Sequence, residues 1–299
     1  MIIVRLRGGL GNQLFQYAAA RALAVHKSVE LKADLYTYTK HPYRKFELKY
    51  FNIDLPEASR KEVHAFTGSN PLIRYLNKKS NYFYCPLVCS QPHYHYFEDF
   101  LNLPSSVYLS GYWQSEKYFY AIKDIIKSEI TPRVKPDQYN DELIHEMDSV
   151  ESIAVHVRHG DYTTNINYKS FFSQPGREYY ANAISHIRNN HPSPKFYFFS
   201  DNIPWCRATF KDLPDAVFIS HNTGDESYKD LLLISSCKHQ IIANSTFSWW
   251  GAWLNPNRQK TVIAPRFWFK TSYQMKKEPV YPCRIYNTKD LIPENWICL

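Results

Sequence analysis

Several absences narrow the class of this chain. No run of about 18 uninterrupted apolar residues occurs, so no transmembrane helix is expected. The amino terminus, MIIVRLRGGLGNQ, opens on a strand-like run with Arg5 inside it and lacks a signal-peptide pattern. A cytoplasmic protein is therefore expected, with peripheral contact at the inner membrane face left open. The six cysteines (Cys85, Cys89, Cys206, Cys237, Cys283, Cys298) form no CxxC pair. Neither a zinc site nor a dense disulfide framework is expected from them, and free thiols are. There is no Asp-x-Asp motif and no evident cluster of metal-ligating residues, so no metal is expected. Internal repeats and low-complexity segments are absent too.

The charge is one-sided. Lys and Arg total 36 against 28 Asp and Glu, for a formal net charge of +8. That balance suits an anionic partner such as a nucleotide, a membrane surface or nucleic acid. The basic residues are dispersed rather than gathered into a stripe, which speaks against nucleic acid. Aromatic residues reach 16% of the chain, a composition shared by sugar-binding clefts and ordinary cores alike.

The stretch Ser152–Tyr162, SIAVHVRHGDY, organises the rest. Ile153, Val155 and Val157 alternate as in a strand facing a core. The strand runs into Arg158, His159, Gly160 and Asp161, which do not suit its continuation. Ligands of open α/β sheets bind beyond the carboxyl ends of strands, so this basic cluster is a candidate anion site. A guanidinium donates two parallel hydrogen bonds to phosphate. The plainer alternative is a structural ion pair between Arg158 and Asp161.

Elsewhere, residues 2–7 read as a strand, followed by a glycine turn (Gly8, Gly9, Gly11) and an amphipathic helix carrying Leu14, Ala18, Ala22 and Val25. The turn is not a GxGxxG fingerprint, because Gln13 and Leu14 stand where its third glycine would fall. Residues 29–36 form a second strand and turn, and 41–95 yield no assignment. SVYLSGYWQSEKYFYAIKDIIKSEI predicts strand, turn and helix, with Ser115 as N-cap and Tyr118, Ile122, Ile125 and Ile126 on the buried face. The segment 131–138, with two prolines, reads as a linker. After it, strands at 152–158, 195–200, 216–220, 240–243 and 261–264 alternate with helices at 178–190, from Pro204, at 226–237 and at 246–254. Alternation of this kind predicts a parallel sheet covered on both faces. Two α/β domains follow, 1–132 and 138–299, with a cleft between them. The tail of the second is expected to pack back on the first.

The strand ends converge on one chemistry. HVRHGD ends one strand, Ser200-Asp201-Asn202 the next, and Asn244-Ser245-Thr246 ends another while opening the helix FSWWGAWL. Amides and hydroxyls at that helix start suit phosphate oxygens. Asp201 suits two N–H groups, as on a guanine edge, or serves as an N-cap ahead of Pro204. Trp249, Trp250 and Trp253 belong to a helix apolar enough to be buried. The combined pattern is a nucleotide diphosphate held between two α/β domains.

GGLGNQLFQYA, YLSGYWQSEKYF, HVRHGDY, SDNIPWC and HQIIANSTFSWWGAWL run in order from residue 8 to residue 254. They resemble the successive motifs of bacterial α-1,2-fucosyltransferases, glycosyltransferase family eleven. The resemblance implies a GT-B-like fold, two Rossmann-like α/β domains facing across a cleft. It implies GDP-fucose as donor substrate, no cofactor, and inverting transfer to the 2-hydroxyl of a terminal galactose on an oligosaccharide or glycolipid, in a setting such as O-antigen assembly. More distant similarity to the α-1,6- and protein O-fucosyltransferases puts Arg158 and His156 on the GDP phosphates and turns Gly11 and Asn12 toward the donor. With them, His159, Asp201, Asn202, Asn244, Ser245, Thr246 and Phe247 make up the expected donor site. Arg158 is the expected catalytic cation and Asp161 the nearest carboxylate for the acceptor proton, ahead of Glu178 and Asp34. One departure stands out: the family motif carries two adjacent arginines, and here the second position is His159. Rival readings are a GT-B enzyme for another nucleotide sugar and a catalytically silent nucleotide- or carbohydrate-binding protein.

Overall fold

Strands buried on both faces read as near-continuous apolar runs, and two such runs sit at the centres of two sheets. The computed structural model of the chain describes residues 1–40, 44–68, 87–160, 171–270 and 287–299. It divides into two units. One comprises Met1–Arg133 with the described part of Met275–Pro293; the other comprises the described part of Val134–Gln274 with Glu294–Leu299.

The first unit contains β1 (Ile2–Arg5), α1 (Leu10–Lys27), β2 (Leu31–Asp34), α2 (Tyr36–Lys40), α3 (Arg60–Thr67), β3 (Val88–Ser90), β4 (Val107–Ser110) and α4 (Lys123–Glu129). Its sheet is parallel, in the order β2-β1-β4-β3. Ile2, Ile3 and Val4 have no exposed surface, as expected of a central strand. On α1, Leu14 and Ala18 are fully buried, and the alanines allow close approach to the sheet. The helix ends on His26 and Lys27, which favour the negative end of its dipole, and on Ser28 in the left-handed conformation. Glu129, closing α4, accepts from Tyr17 Oη at 2.6 Å and from Arg21 at 2.8 and 3.0 Å, tying the two helices together.

The single helix expected after Ser115 is broken. Ser115 caps a 3₁₀ turn at Glu116–Tyr118, a second follows at Tyr120–Ile122, and α4 starts only at Lys123. Phe119, at φ −133 and ψ 5, interrupts the helical path and buries its ring against Phe15. The break rotates the following residues, so Ile126 is buried while Ile125, expected on the same face, is exposed.

The second unit contains α5 (Gln138–Ser149), β5 (Ser152–Val157), α6 (Arg177–Asn190), β6 (Lys195–Ser200), α7 (Ile203–Thr209), β7 (Ala216–Phe218), α8 (Tyr228–Ser236), β8 (His239–Ile241), α9 (Thr246–Leu254), β9 (Val262–Ala264) and β10 (Ile297–Cys298). All strands are parallel, in the order β10-β9-β8-β5-β6-β7. Along β5, Ile153, Val155 and Val157 enter a core with Tyr180, Ile184 and Ile187 of α6. Ala154 faces the opposite core with Leu143 and Met147 of α5 and Leu233 and Ile234 of α8. A helix layer thus covers each face. The tryptophans of α9 are buried. Gly251 is needed where α9 meets α8, because a Cβ there would lie 2.4 Å from Cγ2 of Ile234.

At the amino-terminal edge of this sheet, Glu151 Oε1 accepts from His191 Nδ1 and His239 Nε2, both at 2.9 Å. The backbone N–H of Thr261 donates to His239 Nδ1 at 2.8 Å, so that nitrogen carries no proton. Burial, then the neighbouring His191, lowers the pKa of His239. The unfolded chain therefore takes up a proton near pH 6.5 that the native ring resists, and stability falls as pH drops below that value. The ceiling for one such group is about 1.4 kcal/mol per pH unit. His156 acts in the same direction, while Asp230, raised by burial to about 7, opposes it. His239→Gln should therefore lose less stability than the wild type between pH 7 and pH 5, measured by denaturant unfolding. An unchanged pH dependence would refute this role.

Candidate functional site

A parallel sheet whose strand order reverses opens a crevice at the carboxyl ends of the strands flanking the reversal. In the second unit the chain moves from β5 outward to β6 and β7, then returns to β8 on the other side of β5. The switch point lies between β5 and β8. Arg158 follows β5 there, and the amino terminus of α9 follows β8.

Asp201, just past β6, organises the loop after β5. Its Oδ1 accepts from the backbone N–H groups of His159 and Gly160, each at 2.9 Å, and its Oδ2 lies 3.2 Å from Arg158 Nη1. Gly160 is required by this packing, since a Cβ would fall 2.7 Å from Oδ2 of Asp201. Burial alone would raise the Asp201 carboxyl, but Arg158 and the two N–H groups outweigh it and hold the pKa below its ordinary value. The N-cap alternative weighed from the sequence falls to the neighbouring residue: Asn202 caps α7, its Oδ1 accepting from Trp205 N at 3.1 Å.

His156 projects from the same face of β5 as Ala154 and meets Phe247, their rings 5.9 Å apart. It is 6% exposed, and its buried Nδ1 has no protein hydrogen-bond partner. Burial first, then the charge of Arg158, push its pKa well down, so the ring is neutral at pH 7. His159 stacks on the indole of Trp205, with centroids 4.1 Å apart.

Ser245 is the N-cap residue of α9 but makes no side-chain cap, leaving the amides of the first turn, at Thr246 and Phe247, to another acceptor. Asn244, past the end of β8, joins two segments through its amide. Its Nδ2 donates to the carbonyls of Ser173 and Trp268, stapling two loops together. Asp161 lies outside the described residues. Of the other carboxylates, Glu178 is exposed in the first turn of α6. Asp34 is buried and engaged by Tyr108 Oη at 2.6 Å and Tyr36 N at 2.9 Å.

The first unit has its own switch point, between β1 and β4. The glycine turn leaves β1 there, with Gly8 at φ +81. Gln13, which with Leu14 stands where a dinucleotide fingerprint would have its third glycine, is wholly buried. It donates to the carbonyls of Gly8 and Lys45 and accepts from Glu47 N, pinning the turn to the 45–47 segment. Gly11 is buried and Asn12 half-buried in the first turn of α1. Asn12 Oδ1 accepts from Gln114 Nε2 at 2.7 Å, bridging the switch point. Gln114, Gln91 and Tyr94 escaped the sequence reading. The only signal for them was the polar Gln114 closing an otherwise apolar YWQ.

Glu151, His191 and His239 are the one group among the described residues with three potential metal-ligating atoms close together. A histidine bound through one nitrogen normally donates from the other. His239 Nδ1 instead faces the N–H of Thr261, so coordination through Nε2 would demand an imidazolate. The cluster also lies at the opposite end of β5 from Arg158, about 20 Å away at 3.3 Å per residue.

The comparisons with known proteins agree with this architecture. The sequence profile of Glycosyl transferase family 11 matches residues 74–284. The chain is 33% identical to the alpha-1,2-colitosyltransferase of Escherichia coli, covering 99% of this chain and 98% of that one. It is 30% identical to the O-antigen biosynthesis glycosyltransferase WbnK of Escherichia coli, covering 91% and 96%. Among solved structures, the NodZ alpha-1,6-fucosyltransferase soaked with GDP-fucose superposes with a TM-score of 0.52 at 17% identity, covering 85% of this chain and 92% of that one. That likeness concerns the fold, a GT-B-like α/β architecture of parallel sheets. No helix among the described residues is long and apolar enough to cross a membrane. On its profile and its full-length relatives, this chain is a glycosyltransferase and belongs to glycosyl transferase family 11.

Proposed function

We propose that the chain transfers L-fucose from GDP-fucose to the 2-hydroxyl of a terminal galactose, with inversion at the anomeric carbon. The observation that carries the reading is the Asp201-anchored Arg158 at the switch point between β5 and β8, beside the open amino terminus of α9. As the bond to the anomeric carbon breaks, negative charge grows on the departing β-phosphate. A guanidinium already held by a carboxylate, and amides fixed in a helix turn, stabilise that charge without reorganising. The neutral His156 offers its buried Nδ1 to a ligand atom, which would settle an otherwise costly polar group. Asp161, three residues past Arg158, is the carboxylate nominated to take the acceptor proton. On this reading the second unit binds the nucleotide sugar and the first takes the acceptor, by peripheral contact at the membrane if that acceptor is a glycolipid.

The 33% identity with a colitosyltransferase over nearly the whole of both chains favours a second reading, transfer of a colitosyl group. Colitose lacks the 3-hydroxyl of fucose. A pocket that hydrogen-bonds a hydroxyl rejects the analogue lacking it far more strongly than an apolar pocket rejects the added group. A panel of nucleotide sugars with lactose-type and galactosyl-N-acetylhexosamine acceptors separates the two, and linkage analysis of the product fixes the position. An α-1,2-fucosyl product is expected; transfer only from other nucleotide sugars would sink the first reading, and GDP binding without transfer from any donor would sink both.

Two further outcomes are expected. Arg158→Ala should fold normally and lose about 10²- to 10³-fold in kcat, the usual cost of removing one such electrostatic group; near wild-type turnover would remove Arg158 from the chemistry. EDTA should leave turnover largely unchanged, given a sequence without Asp-x-Asp and a His–Glu cluster whose proton pattern opposes coordination. Loss of turnover restored by Mg²⁺ or Mn²⁺ would contradict that.

A further inference from the structure

The segment Ser110–Gln114, SGYWQ, takes no part in the chemistry described above, yet it connects to the glycine turn through side-chain amides. Tyr94 Oη donates to Gln114 Oε1, and Gln114 Nε2 donates to Asn12 Oδ1. With its oxygen engaged, the Asn12 amide turns its NH2 group toward Gly8 in the glycine turn. Gly8 leaves the space for that group, because a Cβ there would lie 2.6 Å from Asn12 Nδ2. The base of the relay is fixed as well. Gln91, wholly buried, accepts from the N–H groups of Tyr112 and Trp113 at 2.8 and 3.1 Å and donates to the carbonyl of Tyr94 at 3.5 Å. Gly111 makes that possible, since a Cβ would fall 2.5 Å from the Cβ of Gln91. Trp113 takes a left-handed φ of 56 to turn the chain, which sends Gln114 back toward Asn12.

We propose that Tyr94 and Gln114 are positioning residues that hold the Asn12 amide with its NH2 group toward an oxygen atom of a substrate. This rests on the transferase reading of the site. The terminal torsion of asparagine has two nearly equivalent orientations, and an amide free to turn would offer a carbonyl half the time. A carbonyl repels phosphate oxygens, whereas N–H groups attract them, so a fixed orientation converts an ambiguous side chain into a dedicated donor. The same donor suits a sugar oxygen, and kinetics with each substrate varied in turn distinguish the two sources.

The test is a double-mutant cycle on kcat/KM, run with whichever nucleotide sugar the wild type turns over, so that failure of GDP-fucose as donor does not bear on the relay. Asn12→Ala removes the NH2 group and should cost about 10- to 100-fold. Tyr94→Phe keeps the ring and removes one hydroxyl, and should cost about 3- to 10-fold, the scale of one hydrogen bond. In the Asn12→Ala background no amide is left to orient, so Tyr94→Phe should then cost almost nothing. Gln114→Glu accepts from Tyr94 but cannot donate to Asn12, so the amide turns its carbonyl toward the glycine turn and the loss should exceed that of Asn12→Ala. A loss confined to the nucleotide sugar assigns the oxygen to the diphosphate, and one confined to the acceptor assigns it to the acceptor sugar. Additive effects of Tyr94→Phe and Asn12→Ala, or a Gln114→Glu variant as active as wild type, would overturn the relay. Melting temperatures taken alongside identify any variant that loses activity by unfolding, and Tyr94→Phe, the least disruptive, keeps the cycle decisive.

Discussion

Reversal of strand order in a parallel sheet is the constraint on which the rest depends. Each connection out of a parallel strand must cross a face of the sheet, and where two connections leave in opposite directions the strand ends between them stay uncovered. Both units contain one such place, between β1 and β4 and between β5 and β8. A glycine turn with Asn12 stands at one of them, and Arg158 with the start of α9 at the other. The opposite edge of the second sheet carries a His–Glu–His cluster instead, which is saturated by its own hydrogen bonds.

The two crevices are built by the same physical device, a buried polar side chain that satisfies backbone groups of a loop too irregular to satisfy itself. Asp201 does this for His159 and Gly160, Gln91 for Tyr112 and Trp113, and Gln13 for Gly8, Lys45 and Glu47. Unpaired buried amides are costly, so each such side chain fixes its loop in one conformation. Glycines follow from this arrangement. Gly160 and Gly111 each occupy a point where the pinning side chain passes too close for a Cβ. Their presence in HVRHGD and SGYWQ reflects close approach rather than flexibility.

Much of this was legible in the residues. The alternation of apolar strands and helices after residue 150 gave strand and helix positions close to those of β5 to β9, because β5, β6, β8 and β9 are buried on both faces and read as short apolar runs between helical patterns. The break at Phe119 was hidden, because a ring that leaves the helical path to fill a core pocket does not alter the apolar pattern around it. Strand order was hidden as well, since β8 follows β7 in sequence but pairs with β5. Partners of polar residues were least legible of all. Asp201, Asn202 and Asn244 all stand at strand ends in the sequence, and only three-dimensional contacts show that the first holds Arg158, the second caps α7 and the third joins two loops.

The histidine at position 159 illustrates the same distinction between side chain and backbone. A second arginine there would add a permanent positive charge and a planar fork of donors to the basic cluster. What position 159 contributes to the loop in this structure is its N–H, donated to Asp201 Oδ1 alongside that of Gly160. Any residue except proline supplies that bond. Its ring lies along Trp205, at the start of the helix that Asn202 caps, so the side chain packs the loop onto α7. The anchoring of Arg158 therefore survives the exchange of arginine for histidine, because the carboxylate that holds the guanidinium is itself held by backbone groups. The guanidinium of Arg158 and the backbone N–H groups of His159 and Gly160 all meet at Asp201, which makes that carboxylate the contact through which the whole loop is held.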